Sequence, residues 1–431
     1  MLRRIFILRN FWYYITMIEY KKTNGGIALV TEKIDDAQSA CIGVWVGAGS
    51  CCETPENYGI SHVIEHMFFK GTKTRDVLQI AKDTDDIGAS INAFTGKQAT
   101  CYHIKALTEV FPEACDVLFD MLVNSLFDPK ELRKEKGVIL EELHMVEDTP
   151  DDWIVDLLTG RICCGTPMQS PVLGTVKTIK AATHDSITEY IGKWYKKDNL
   201  VVSVVGNFDE KRLEEQIDAY LSGIGEKSPQ KPENKPQKGS RFTSRAKDVA
   251  QSHIALGMTT VPLESDDYYA QAIVNDVLGG SMSSRLFQNI RERQGLAYTV
   301  YSYPLSYRGI GMYYIYAAVS LGKEKNALNA IAFELEDLGK TGLSEQEIAI
   351  VKQRLKSGFI FSQEKMENRM FALGKNRLLL GRNYTPEETM AEINAVTKAQ
   401  VDDYCRRISC IGDYCGASIS REKLDLKKLI G

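Results

Sequence analysis

The chain has 431 residues, 44% of them hydrophobic and 26% charged, with a net charge of −4. That length exceeds one ordinary core and points to two domains. The weak acidity supplies no basic field for nucleic acid, and no apolar run reaches the roughly 18 residues of a membrane span, so neither nucleic-acid binding nor stable membrane insertion is expected.

Residues 1–16, "MLRRIFILRNFWYYIT", are basic, then apolar and aromatic. Arg9 and Asn10 interrupt the apolar part and no small-residue cleavage site follows, so the segment reads as an extension outside the fold. Ten cysteines without a CxxC pair fit a reducing compartment. The expected location is cytoplasmic, or the mitochondrial matrix if the extension is a targeting segment. Past it come strand-like runs, "IALVTEK" and "ACIGVWVGAG", then "GISHVIEHMFFKGT" from Gly59 to Thr72. The strand "TCYHIKAL" precedes two helical patterns, "VFPEACDVLFDMLVNSL" and "DPKELRKEKGVILEEL"; Asp128 with Glu131 predicts a capping box on the second. "NLVVSVVGNF" closes the first part as another strand.

Gly225 to Lys247 is rich in Lys, Pro, Ser and Gln with almost no apolar side chains. It cannot bury surface and reads as a linker. Beyond it the pattern repeats. "GMYYIYAAV", "EKNALNAIAFELEDL" and "SEQEIAIVKQRLKSGF" follow the same strand, helix, capped-helix order, with Ser344 and Glu347 as the second capping box. "IKAATHDSITEY" and "INAVTKAQVDDY" share I-x-A-x-T-x-x-x-[IV]-x-x-Y, with Thr183 and Thr397 placed as N-caps. The expected fold is α+β: two homologous duplicated domains, each an antiparallel-rich sheet packed with helices. Residues 17–224 form the first domain, 225–247 the linker and 248–431 the second.

His62 and His66 are four apart, so on a helix both imidazoles share one face and can reach one ion. Zinc suits imidazole with carboxylate. Glu65 stands beside the second histidine, where a general base belongs. The bland alternative is a solvated helix face, but H-x-x-E-H is the inverted zincin pattern. A third ligand must come from elsewhere. The helix "ELRKEKGVILEELHMVED" offers Glu131, Glu135, Glu141, Glu142, His144 and Glu147, and spacing does not choose among them. Glu135 and Glu142 lie two turns apart on one face, so one could ligate while the other orients.

"HVIEHMFFKGT", "INAFTGKQATCYH", "EKGVILEE", "PVLGTVKTI" and "LGGSMSSRLFQNIRERQGLAYTVYSY" together resemble the pitrilysin and mitochondrial processing peptidase family of inverzincins, from about Ile27 to Ser420. The resemblance implies that His62, His66 and Glu142 bind one zinc per chain, that Glu65 is the base, and that Glu135 stands behind the ligands. His144 is then a surface helix residue. It further implies that Asn92 and Ala93 pair with extended substrate at a sheet edge, and that Arg291 and Tyr298 steady substrate carbonyls or the oxyanion. Asp152 and Asp156 fall where processing peptidases hold a substrate arginine, the first as Asp where relatives often carry Glu. The second half has no histidine pair in the place of His62 and His66. The expected activity is therefore zinc-dependent hydrolysis of peptides or unfolded polypeptide in an enclosed chamber, in a homodimer. The rival expectation is a non-catalytic scaffold subunit of the same fold; the intact zinc motif argues against it.

Overall fold

The computed structural model describes residues 17–237 and 239–430; the extension 1–16 lies outside the described residues. Two mixed sheets organise the chain. The first has the order β1 (Ile18–Lys22), β2 (Ala28–Lys33), β6 (Leu200–Gly206), β3 (Ser39–Val46), β5 (Thr100–Leu107), β4 (Ser90–Thr95). The second has the order β7 (Phe242–Ala246), β11 (Cys415–Ser420), β8 (Gln251–Thr260), β10 (Ile310–Ser320), β9 (Ala297–Tyr307). From β2 onward the two orders match strand for strand. Each has one parallel pair, β2 with β6 and β7 with β11, and antiparallel neighbours beyond it. The duplicated architecture read from the sequence is present.

The helices of the first half are α1 (Ile60–Phe68), α2 (Val77–Asp86), α3 (Phe111–Asn124), α4 (Pro129–Asp148), α5 (Pro150–Ile162), α6 (Val176–Ala181), α7 (His184–Trp194) and α8 (Glu210–Leu221). Those of the second are α9 (Tyr268–Leu278), α10 (Glu324–Thr341), α11 (Glu345–Gln363), α12 (Met366–Leu380), α13 (Pro386–Ala395), α14 (Lys398–Ile408) and α15 (Leu426–Ile430). Thr183 and Thr397 cap α7 and α14 through the backbone N–H groups of Ser186 and Gln400. Ser344 and Glu347 make the reciprocal box on α11. On α4 only half of the expected box forms. Asp128 accepts from the N–H groups of Lys130 and Glu131, but the Glu131 carboxylate takes Lys134 at 2.7 Å instead.

One element also sits where only linker was expected. Phe242–Ala246 forms β7, the edge of the second sheet. An edge strand needs few apolar residues, and here Phe242 alone packs on the core, which is why the segment reads as polar.

Strands β3, β6 and β10 are buried along nearly their whole length, so each sheet needs cover on both faces. One face of each is covered by helices of its own half. The other is covered by a helix from the opposite half. Met370 and Leu373 of α12 pack on Val30, Cys41, Trp45, Cys101, Val201 and Val205 of the first sheet. Ile154, Leu158 and Ile162 of α5 join one core with Ala255, Met312, Tyr314 and Ala417 of the second. The two helices occupy equivalent places in the repeat, each directly after a long helix. The halves are interlocked by reciprocal exchange.

Candidate metal centre and active site

The helix α1 starts at Gly59, whose φ of 88° is left-handed. A Cβ there would stand 2.6 Å from the Leu173 carbonyl oxygen and 2.8 Å from Gly174 Cα, so glycine is required on both counts. The N-terminus is capped from a distance. The buried Glu53 carboxylate accepts from the N–H groups of Gly59 (2.6 Å) and Ser61 (2.9 Å). The next residue is His62, so this cap sits at the root of the histidine face.

His62 is buried and His66 half-buried, with ring centroids 4.6 Å apart. From α4, Glu142 Oε2 lies 3.6 Å from His62 Nε2 and 3.5 Å from His66 Nε2. One donor atom from each of the three residues falls within 4.8 Å of the other two. These three donors could hold one metal ion; two imidazoles and a carboxylate are a zinc donor set. Burial, and secondarily His66, pushes His62 down to about 3, keeping it in the neutral form that a ligand needs. His62 Nδ1 is buried without a hydrogen-bond partner. His66 Nδ1 lies 3.1 Å from Glu135 Oε2, and Lys70 Nζ is 2.8 Å from the other oxygen of Glu135. That carboxylate sets the tautomer, leaving His66 Nε2 free toward Glu142.

Glu65 projects beside this set. Burial raises its pKa, opposed by a hydrogen bond from Thr95 and by the field of His66. Thr95 ends β4, an edge strand of the first sheet, so Glu65 and that edge are adjacent. On that edge Asn92 Oδ1 accepts from the Ala93 N–H at 2.8 Å. Thr95, Glu53 and Lys70 escaped the sequence reading, although each lies within or beside a quoted motif; their roles depend on contacts that spacing does not encode.

Arg291 and Tyr298 are brought together. Arg291 lies in a π-helix, Phe287–Arg293, with its guanidinium carbon 5.0 Å from the Tyr298 ring centroid and 4.7 Å from that of Phe287. Tyr298 is 70% exposed. No hydrogen bond, ion pair or ring contact joins this pair to the three donors among the described residues. Asp152 is exposed and Asp156 half-buried on α5, and neither carboxylate has a hydrogen-bond or ion-pair partner among the described residues. His144 is a surface residue, 3.9 Å from Glu141.

Residues 28–176 match the model for insulinase, peptidase family M16, and residues 181–355 match the peptidase M16 inactive domain. An uncharacterized zinc protease of Bacillus subtilis is 39% identical over 94% of this chain and 98% of its own. A second uncharacterized zinc protease, from Streptomyces coelicolor, is 35% identical over 89% and 85%. The chain belongs to the M16 peptidase family. In fold it is similar to the M16 inactive-domain structure from Pseudomonas fluorescens (TM-score 0.86, 19% identity, 94% and 98% covered) and to a protease from Helicobacter pylori (0.86, 18%, 94% and 100%). No helix among the described residues is long and apolar enough to cross a membrane.

Proposed function

We propose that this protein is a zinc-dependent endopeptidase acting on peptides or unfolded polypeptide. The observation that carries the reading is the convergence of His62, His66 and Glu142, with Glu65 beside them and the open edge of β4 alongside. When bound there, zinc supplies Lewis acidity toward a carbonyl oxygen and acidifies water. The chain's own residues do the rest. Glu65 accepts a proton and delivers it to the leaving amine. Glu135 orients His66 through Nδ1 and raises its basicity. Extended substrate adds as a strand to β4, held by main-chain bonds and so with low sequence demand. In doing so it displaces the Asn92 side chain from the Ala93 N–H. Arg291 and Tyr298 steady substrate carbonyls. The zinc-bearing unit is 17–224 and the zinc-free unit 248–431, with one zinc per chain in a homodimer around an enclosed chamber. Asp152 and Asp156 favour an arginine near the cleaved bond, a processing-type preference.

Glu65→Gln tests the reading, because it keeps size and hydrogen bonding but removes the proton acceptor. Peptidase activity is expected to fall roughly 10²–10⁴-fold with zinc content unchanged. Turnover near that of the wild type at full zinc content would sink the assignment of the base.

A further inference from the structure

The hairpin that carries the edge strand β4 turns at residues 96–99, where the Gly96 N–H donates to the Ala99 carbonyl at 2.8 Å. Thr95 stands immediately before this turn and donates to Glu65. One side of the turn is fixed within the first half. The Ser50 N–H donates to the Gly96 carbonyl at 3.2 Å and the Cys51 N–H to the Lys97 carbonyl at 2.8 Å, and the Lys97 ammonium donates to the Ser170 carbonyl. The other side is held by one side chain. Gln98 donates through Nε2 to the carbonyl of Arg308, 210 residues away, and accepts through Oε1 from the Arg308 N–H, both at 2.8 Å. A backbone N–H only donates and a carbonyl only accepts, so the two bonds together fix which way the amide points. Among the described residues these are the hydrogen bonds that join the turn 96–99 to the second half.

The partner is equally well anchored. Arg308 opens the two-residue turn between β9 and β10, across which Tyr307 pairs with Ile310. The Leu263 N–H donates to the Tyr307 carbonyl at 2.9 Å, and the Gly309 N–H to the Glu264 carboxylate at 2.9 Å. Gln98 thus bridges two turns that are each braced within their own half. It is buried, so losing its partner would leave an amide without a hydrogen bond and without water.

We propose that Gln98 is a positioning residue that clamps the β4–β5 turn to the second half and, through Thr95, fixes the Glu65 carboxylate. This rests on the peptidase reading above. A general base acts only within hydrogen-bond reach of its proton, and a misplacement of about 1 Å can cost roughly a hundredfold in rate. The zinc-free half then serves the chemistry as a brace for the base, apart from the role of Arg291 and Tyr298.

The test uses full-length protein. Gln98→Met keeps the length of the side chain and removes both bonds. Arg308→Pro removes the N–H from the opposite partner; Gly309 has a φ of 79°, and proline suits the position before such a glycine in a turn. Zinc per chain, kcat and KM are measured with hydrogen exchange over residues 92–100. Gln98→Met is expected to keep its zinc, to exchange faster over 92–100, and to lose roughly tenfold or more in kcat per bound zinc with KM changed less than about threefold. Arg308→Pro, which leaves one of the two bonds, should fall between it and wild type. Thr95→Val should lower kcat by itself, and Gln98→Met should add less than about twofold in that background, because both act on Glu65 by one route. A purely structural role would reduce the folded, zinc-bearing fraction and leave kcat per bound zinc unchanged. That result, or losses that multiply in the double variant, would overturn the proposal. A wild type without peptidase activity at full zinc content would sink the peptidase reading instead; faster exchange over 92–100 in Gln98→Met would then still uphold the clamp, and unchanged exchange would overturn it. Arg308→Pro decides if the methionine variant does not fold.

Discussion

Gly374 lies buried in α12, where that helix crosses onto the first sheet. A Cβ added there would stand 2.0 Å from Trp45 Nε1, 2.2 Å from Trp45 Cδ1 and 2.7 Å from Ser203 Oγ. These neighbours cannot easily yield. Trp45 is 3% exposed, donates to Ser203 at 3.1 Å and is met edge-on by Phe94 and Phe371. Two effects oppose each other in Gly374→Ala. Helix propensity favours alanine by about 1 kcal/mol. Overpacking costs about 1–3 kcal/mol, and a lost Trp45–Ser203 hydrogen bond adds about 1 kcal/mol. The net expectation is destabilisation of about 1–3 kcal/mol. Gly358→Ala is the control: it lies on α11 with nothing within 4 Å of its Cβ position, so it should stabilise by about 0.5–1 kcal/mol. Urea unfolding of both variants, with hydrogen exchange of the α12 amides, reads the difference. If Gly374→Ala matched or exceeded wild type while Gly358→Ala behaved as stated, α12 would not be seated against Trp45.

Three further outcomes are expected. Glu135→Gln should retain one zinc per chain but weaken it by roughly 10–100-fold in chelator competition; unchanged affinity would remove Glu135 from its role behind His66. Burial pushes Glu53 up to about 7 against its donors Gly59 and Ser61 and the field of Lys97. The unfolded chain releases this proton near the ordinary 4.5, so between about pH 4.5 and 7 the native state holds the extra proton and stability falls as pH rises. The wild-type minus Glu53→Gln difference in unfolding free energy should decline across that window and level off above it; a flat difference would refute the shift. Residues 17–224 alone lose α12 and expose Val30, Trp45, Val201 and Val205, so the fragment should bind an apolar dye or associate in size exclusion. A monomeric, cooperatively melting fragment would show that the exchange is dispensable.

The sequence by itself determined the local chemistry and the repeat. H-x-x-E-H puts both imidazoles on one face because helix periodicity is a property of the backbone. The Thr183 and Thr397 caps act on their own helices, and the strand "TCYHIKAL" coincides with β5. Choosing Glu142 over its neighbours needed the family resemblance, because Glu141, Glu142 and His144 differ only in which way α4 faces α1, and rotation about a helix axis is set by packing. Only the tertiary structure decided that α5 and α12 exchange between halves and that Glu53 caps α1 from outside the helix. The exchange joins residues far apart in the chain through buried surface, whereas the Glu53 cap spans only six to eight residues and depends on how the loop between them turns. An apolar strand such as "LVVSVVG" announces that both its faces need cover, but cover is non-directional, and nothing in the strand says which helix will provide it.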